Sequence, residues 1–296
     1  MSIHFLSRKN FFRPQSSVHS IDTLGLLSYI ALIYKRVFSL LFFHQQDVIV
    51  IGSINHMASL LEKNRLRLNK ELNRLEKRAL FSPAIYCIHE ATISAIRKYA
   101  RGKLIDIGCG DMVHRDLVVQ QVTQYDTLDI EPRVPDVKFI GSVLNMHMIH
   151  DNYYDSALCF DVLEHIPDPS KAVLEISRIL KPGGILMLSV PHLSRLHEEP
   201  NDFFRFTKYG IQHVLQNAGF ARIEIISQGG LFSFLGHQFS TLFVCSFWHI
   251  PLLKRVVFFL NQWLCVRPCV FFDRLLDRRE IFAMAYFVVA QKAVAQ

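Results

Sequence analysis

One short stretch restricts this chain more than any other: an acid at the tip of an apolar run, followed at once by a turn built on two glycines. Leu104, Ile105, Asp106 and Ile107 lead directly into Gly108, Cys109, Gly110 and Asp111. A glycine turn lets a ligand approach the backbone closely, because no Cβ stands in the way. A dinucleotide fingerprint would carry a third glycine where Val113 stands, and a pyrophosphate would be repelled by the acid that precedes the turn. A carboxylate in that position suits a cationic ligand instead. Asp129 follows 19 residues after Gly110, the distance at which an acid at the end of the next strand accepts hydrogen bonds from ribose hydroxyls. An amino-acid nucleoside cation satisfies both acids.

The rest of the chain fits a sheet that would present such a site. From Lys103 onward, β-rich runs alternate with helical stretches, the pattern of a parallel sheet with helical crossovers. Strands are expected over 104–107, 125–129, 137–141, 156–160, 185–190, 222–227 and 283–291, with helices over 84–99, 170–180 and 211–218. Lys181-Pro182-Gly183-Gly184 should stop the second of these helices and turn the chain into its next strand. The expected fold class is α/β, with a doubly wound, mostly parallel seven-stranded sheet. An N-terminal helical extension over 1–82 should precede a domain over 83–296, itself carrying a hydrophobic insertion over 229–280.

Composition narrows the remaining choices. Half of the 296 residues are apolar, enough for a sizeable core. The 33 basic against 26 acidic residues give a net charge of +7, compatible with anionic lipid, nucleic acid or phosphorylated small molecules. The six cysteines show no paired spacing and read as free thiols of a reducing cytosol. Arg8, Lys9 and Arg13 precede an apolar run over 24–33 that is too short to cross a bilayer and lacks a cleavage site, so no signal peptide is expected. Apolar character resumes over 37–43 and 48–54, as in a buried or interface-lying segment. From His56 to Leu80, Leu61, Leu68, Leu72, Leu75 and Ala79 mark one face of an amphipathic helix expected to pack on its own domain.

With these residues in place, the chain resembles the class I S-adenosylmethionine-dependent methyltransferases, in the branch described as methyltransferase type 11, which includes members found with surface-polysaccharide biosynthesis. The resemblance rests on Asp106 to Gly110, Asp129, the stretch Phe160 to Pro169, Leu180 to Gly184 and the segment His197 to Thr207, and covers about 103–230. It implies a Rossmann-like fold and S-adenosyl-L-methionine as cofactor. Asp106, Gly108 and Gly110 would contact the methionine end, Asp129 the ribose, Ser142 and Val143 the adenine, and Phe160 and Asp161 the floor beside the methyl group, with Cys109 and Ile130 as further cofactor contacts. The family usually has an acid where Ser142 stands, and a serine accepts the adenine amino group more weakly.

Methyl transfer from a sulfonium requires alignment of acceptor and methyl and, for a hydroxyl acceptor, removal of a proton. Glu164 and His165, just past the fourth strand, are the candidate catalytic pair, with the imidazole as general base. Glu164, His165, His192 and His197 together have the chemistry of a metal site, but the set is incomplete by spacing, and no metal is assigned. His192, His197, Asp202 and Arg205, in the loop after the fifth strand, are candidate acceptor contacts. Thr207 reads as the N-cap of the helix that follows.

The insertion over 229–280 is rich in phenylalanine and tryptophan, and 229–253 carries no formal charge. Both flanking strands belong to one sheet, so the chain must return. A helical pair lying in a bilayer interface, or a helical subdomain packed against 24–54 or a second copy, satisfies that constraint. The acceptor expected from this is a small molecule, glycan or lipid-linked compound reached at the inner face of a membrane by a cytoplasmic enzyme. A nucleic-acid methyltransferase is disfavoured, since Phe160-Asp161-Val162-Leu163 replaces the Asn/Asp-Pro-Pro-aromatic loop of base N-methylation and aromatic-interleaved basic strips are lacking. The other alternative is a non-catalytic cofactor-binding scaffold in a glycan assembly complex.

Overall fold

The computed structural model describes residues 59–61, 63–68, 71–72, 79–277 and 281–294. The apolar runs over 24–54, and Leu75, lie outside these residues.

Ser82 accepts the Ile85 amide at 3.3 Å and Pro83 occupies the first turn of α1 (Pro83–Tyr99), a start set by a side-chain cap and a residue that needs no amide partner. The chain then runs through β1 (Lys103–Ile107), a short α2 (Arg115–Val118), β2 (Gln124–Asp129), β3 (Phe139–Ile140) and β4 (Tyr154–Phe160). A 3-10 turn at Leu163–His165 leads to α3 (Pro169–Ile179), β5 (Leu180–Pro191), α4 (Lys208–Asn217) and β6 (Phe220–Gln228). After the insertion, β7 (Ala285–Lys292) closes the sheet.

The seven strands lie in the order β3-β2-β1-β4-β5-β7-β6, with β7 antiparallel to both β5 and β6 and the other pairings parallel. The doubly wound arrangement is written in strand alternation. Ile105, Ile107, Ala157, Cys159, Leu186, Leu188 and Val288 pack toward Ala172, Val173, Ile176, Ile211 and Leu215 of α3 and α4. Their neighbours Leu104, Leu158, Met187, Phe287 and Val289 pack on the other face, against Ala95 and Ile96 of α1 and Val118 of α2. Strands covered on both faces need apolar residues at successive positions, which is why β1, β4 and β5 read as near-continuous hydrophobic runs. Strand order reverses between β1 and β4, and the crevice beyond their carboxyl ends is where ligands bind in such sheets.

Several expected bounds shift, with local consequences at β3 and β5. β3 is confined to Phe139–Ile140 rather than 137–141, because the Thr127 hydroxyl accepts the Lys138 amide at 2.9 Å and holds the preceding residues in a loop. β5 begins at Leu180, so Lys181 to Gly184 belong to the strand, with Gly183 at φ 76° and a register irregularity opposite Tyr154 and Ser156.

The insertion is a helical hairpin. Its first arm is α5 (Leu231–Phe247); its second is a continuous helical run over Pro251–Leu276, made of α6 (Pro251–Asn261), a π-turn at Gln262–Val266 and α7 (Arg267–Leu276). No side chain caps α5 from its own N-terminus, and Asp273 of α7 supplies the acceptors instead, taking the amides of Gly230, Phe232 and Ser233 at 2.7–3.0 Å. Asp277 takes the Leu231 amide at 2.8 Å. These carboxylates meet the positive end of the helix and bind its orphan donors, locking the arms together. Leu68 and Leu72 of the amphipathic segment are buried with Val244, Trp248 and Val257 of the hairpin, as expected of a helix packed on its own domain.

Candidate functional site

Glycine shapes the turn after β1. Gly108 and Gly110 have φ of 68° and 49°, and a Cβ on Gly108 would run into Val162. A Cβ on Gly110 would meet nothing within 4 Å, so the turn borders open space on that side. The Asp129 carboxylate ties the turn to the next strand, accepting the Gly110 amide at 2.8 Å and the Glu131 amide at 3.1 Å. Asp129 Oδ1, with one donor, keeps a lone pair for another.

Asp106 is 6% exposed, and its carboxylate accepts the Tyr125 hydroxyl at 2.7 Å. Burial pushes its pKa up to about 6, against the lowering effect of the tyrosine, and the charge of Asp129 adds to the rise. A buried acid carrying one neutral hydrogen bond beside an open glycine turn is a ready receptor for a cation. Tyr125 is a residue that sequence reasoning missed. It stands one register step before Ile105↔Asp126, on the same face as Asp106, a relation visible only once strands are paired.

The remaining residues expected at the cofactor lie at or just past the carboxyl ends of β1, β2, β3 and β4. Cys109 is buried, with its thiol pushed up to about 12 by burial, and its sulfur lies 4.0 Å from Asp129. Ile130 is 71% exposed beyond β2, an apolar side chain open to a partner. Ser142 hydroxyl accepts the Leu144 amide at 3.2 Å, and Val143 is buried. Phe160 ends β4 between Phe287 and His114, at ring-centroid distances of 5.6 and 5.4 Å. Burial pushes the His114 pKa down to about 4. Asp161, at φ 53°, accepts the Ser189 hydroxyl at 2.8 Å.

Beside them lies a second cluster, assembled from two segments. The 3-10 turn carries Glu164, fully buried, and neither of its oxygens meets a hydrogen-bond donor among the described residues. Burial, and then the charge of Asp161, push its pKa up to about 8. The loop after β5 folds back over the turn, with the amides of Phe203 and Phe204 donating to the Glu164 carbonyl at 2.8 and 3.2 Å. This places His197 Nε2 and His165 Nε2 each 3.8 Å from Glu164 Oε1. The His165 Nδ1 lies 2.6 Å from the Asn201 carbonyl, which fixes Nδ1 as the protonated nitrogen and leaves Nε2 with a lone pair.

Asp202 and Arg205 form the frame of that loop. Two Arg205 nitrogens reach Asp202 at 2.6 and 2.7 Å, holding its carboxyl at about 2, and Arg205 also donates to the Ser194 and Arg195 carbonyls. Thr207 caps α4 as expected, accepting the Gly210 amide at 3.0 Å. His192 stands apart from the cluster, its amide bound to Met284 and its ring tilted on Tyr286 at 5.3 Å.

A family model described as a methyltransferase domain matches residues 53–225. A ubiquinone biosynthesis O-methyltransferase of Saccharophagus degradans is 28% identical over 130 residues, 40% of this chain and 52% of the relative. Its namesake in Xanthomonas oryzae pv. oryzae is 27% identical over 110 residues, 33% of this chain and 46% of the relative. The chain thus spans about half the length of the curated relatives it matches. Among solved structures, a SAM dependent methyltransferase from Archaeoglobus fulgidus aligns over 69% of this chain and 94% of its own, with 15% identity and a TM-score of 0.45.

Proposed function

Because the chain belongs to the family of methyltransferase domains, we propose that it transfers the methyl group of S-adenosylmethionine to a hydroxyl oxygen of a small-molecule acceptor. The observation that carries this reading is the buried, under-partnered Asp106 beside the open Gly108–Gly110 turn, with Asp129 at the next strand end. In this reading Asp106 takes the ammonium of the cofactor and the glycine turn, with Cys109, follows its methionine portion. Asp129 takes the ribose hydroxyls, Ile130, Ser142 and Val143 border the adenine, and Phe160 and Asp161 form the floor beside the methyl group.

When bound, the cofactor supplies a methyl already activated by the sulfonium, so the chain's own residues have two tasks: alignment, and removal of the acceptor's proton. His165 Nε2 is the proton acceptor. With the cofactor bound, the imidazole, which Asn201 holds in the right tautomer, would take the hydroxyl proton as the acceptor oxygen is methylated. His197, Asp202 and Arg205 border the acceptor on the loop side. The relatives from Saccharophagus and Xanthomonas are O-methyltransferases by name, which favours an oxygen acceptor. Incubation with S-adenosylmethionine and cell extract should yield S-adenosylhomocysteine; cofactor that binds and never turns over in any extract would contradict transfer and favour a scaffold.

A specific feature favours an apolar or lipid-linked acceptor. Phe239, Phe259, Trp263 and Phe271 on the hairpin are each half exposed or more. The run Pro251–Leu276 is long and apolar enough to cross a membrane, and 28% of its most apolar stretch is buried. Lys254, Arg255 and Arg267 lie on the same arm, with the Arg267 guanidinium 3.8 Å over the Trp263 ring. Aromatic side chains with basic neighbours suit the headgroup level of an anionic bilayer. We place the hairpin there, in the plane of the interface, so that the acceptor is taken from the membrane surface. In flotation with anionic vesicles the full chain should rise with the lipid, and the pair Phe259→Asp with Trp263→Asp should stay below. Wild-type protein that remains wholly in solution would contradict membrane contact.

A further inference from the structure

We propose that Glu164, His165 and His197 form a binding site for a divalent transition-metal ion, at the carboxyl end of β4 beside Asp161. One donor atom from each residue lies within 4.8 Å of the other two. Movements of about 1 Å or less would bring all three to metal–ligand distances near 2.1 Å. Two imidazoles and one carboxylate, with the remaining positions open, make a donor set suited to zinc, manganese or iron rather than to magnesium or calcium.

Glu164 gives the independent reason to seat a cation there. Its side chain has no exposed surface, and both oxygens are buried without a donor among the described residues. A buried carboxylate in that state is either protonated or neutralised by a cation. No lysine or arginine head lies within ion-pair distance of it among the described residues, and its neighbours at 3.8 Å are two imidazole nitrogens. Those nitrogens are metal ligands when neutral.

The supporting hydrogen bonds set both rings for ligation. His165 directs its Nδ1 hydrogen to the Asn201 carbonyl at 2.6 Å, so Nε2 offers its lone pair toward Glu164. The His197 Nδ1 faces two acceptors, the Arg195 carbonyl at 3.3 Å and Asp202 Oδ2 at 3.5 Å, against one donor, Arg205 Nη2 at 3.4 Å. The tautomer that satisfies the two acceptors again leaves Nε2 free. Metal-binding histidines characteristically carry this outer layer of carbonyl and carboxylate partners, which fixes tautomer and ring orientation. Burial also lowers the His197 pKa, which favours the neutral, ligating form.

The use of the ion rests on the transfer reading: an acceptor hydroxyl at an open coordination position would be acidified and its proton released to solvent, so that with the ion seated His165 Nε2 holds the metal in place of the base role it has in the ion-free site. The binding itself does not depend on that reading. The test uses the full chain stripped with chelator and reloaded with Co2+, followed by visible absorption and by elemental analysis after gel filtration. The six free cysteines could capture Co2+, but thiolate sites announce themselves by a sulfur-to-metal charge-transfer band. One equivalent of Co2+ without that band is expected, with affinity at least 100-fold weaker in His197→Ala and in Glu164→Gln. Unchanged S-adenosylmethionine affinity in both variants would show that they remain folded. No retained ion, a thiolate band alone, or equal binding by the variants would overturn the site. Loss of cofactor binding in wild-type protein that still takes one Co2+ would overturn the transfer reading and leave this one standing.

Discussion

Asp106→Ala is expected to lower S-adenosylmethionine affinity at least 100-fold in a calorimetric titration, with thermal unfolding showing a folded protein. The size follows from where the carboxylate sits. A hydrogen bond to a charged group contributes about 1.5–3 kcal/mol, and the low local dielectric of a buried site strengthens the pairing with an ammonium. A 100-fold loss corresponds to about 2.7 kcal/mol, within that range. Tyr125, the acid's partner at 2.7 Å, cannot neutralise its charge. The same burial sets a pH signature. The folded acid titrates at about 6 against an ordinary 3.8, so the ligand-free protein protonates Asp106 as pH falls through 6 and presents a neutral carboxyl to a cation. Wild-type affinity should therefore weaken below pH 6, and Asp106→Asn should be weak at every pH. For stability the sign is opposite. The folded form holds this proton more tightly than the unfolded one, so the contribution of Asp106 to stability falls as pH rises from 3.8 through 6. An affinity in Asp106→Ala within threefold of wild type would remove the acid from the cofactor site.

His165→Ala should reduce turnover by about 100- to 10,000-fold, the usual contribution of a positioned general base, while leaving cofactor affinity unchanged. The separation follows from geometry. His165 is bound to the loop after β5 through Asn201 and faces Glu164 and His197, with no polar contact to the Asp106–Gly110 turn. Removing it deletes the proton acceptor or, with an ion seated, one of three ligands. Single-turnover measurements on saturated enzyme read the chemical step directly, and the loss should appear in kcat rather than in cofactor KM. A variant that loses binding and turnover together would indicate that His165 orders the loop and that the base lies elsewhere.

The parts of this protein that could be read from its sequence are those encoded locally. Asp106, Gly108 and Gly110 announce themselves because they stand at the end of a short apolar run, and Asp129 by its spacing from them at the end of the next strand; the sheet places both strand ends along one edge. The hairpin was legible as a returning pair because both flanking strands had to join one sheet; its internal lock was not, since Asp273 reaches the α5 amides from more than forty residues away, with nothing periodic to mark it. Tyr125 escaped for a related reason: a side chain acting across two strands shows itself only when register is known. The Glu164, His165 and His197 cluster is the sharpest case. Sequence spacing set the glutamate and histidines side by side with His192 as equals, whereas the loop pinned by Phe203 and Phe204 brings His197 in, and the extended end of β5 carries His192 toward Tyr286.

The acid-and-glycine turn carries the whole account, and titration of the full chain with S-adenosylmethionine, with NAD as the control, tests it most directly. One binding site per chain for S-adenosylmethionine, no heat with NAD and a loss of at least 100-fold in Asp106→Ala is the predicted result. Absence of S-adenosylmethionine binding at millimolar concentration, or binding of NAD in its place, would contradict it.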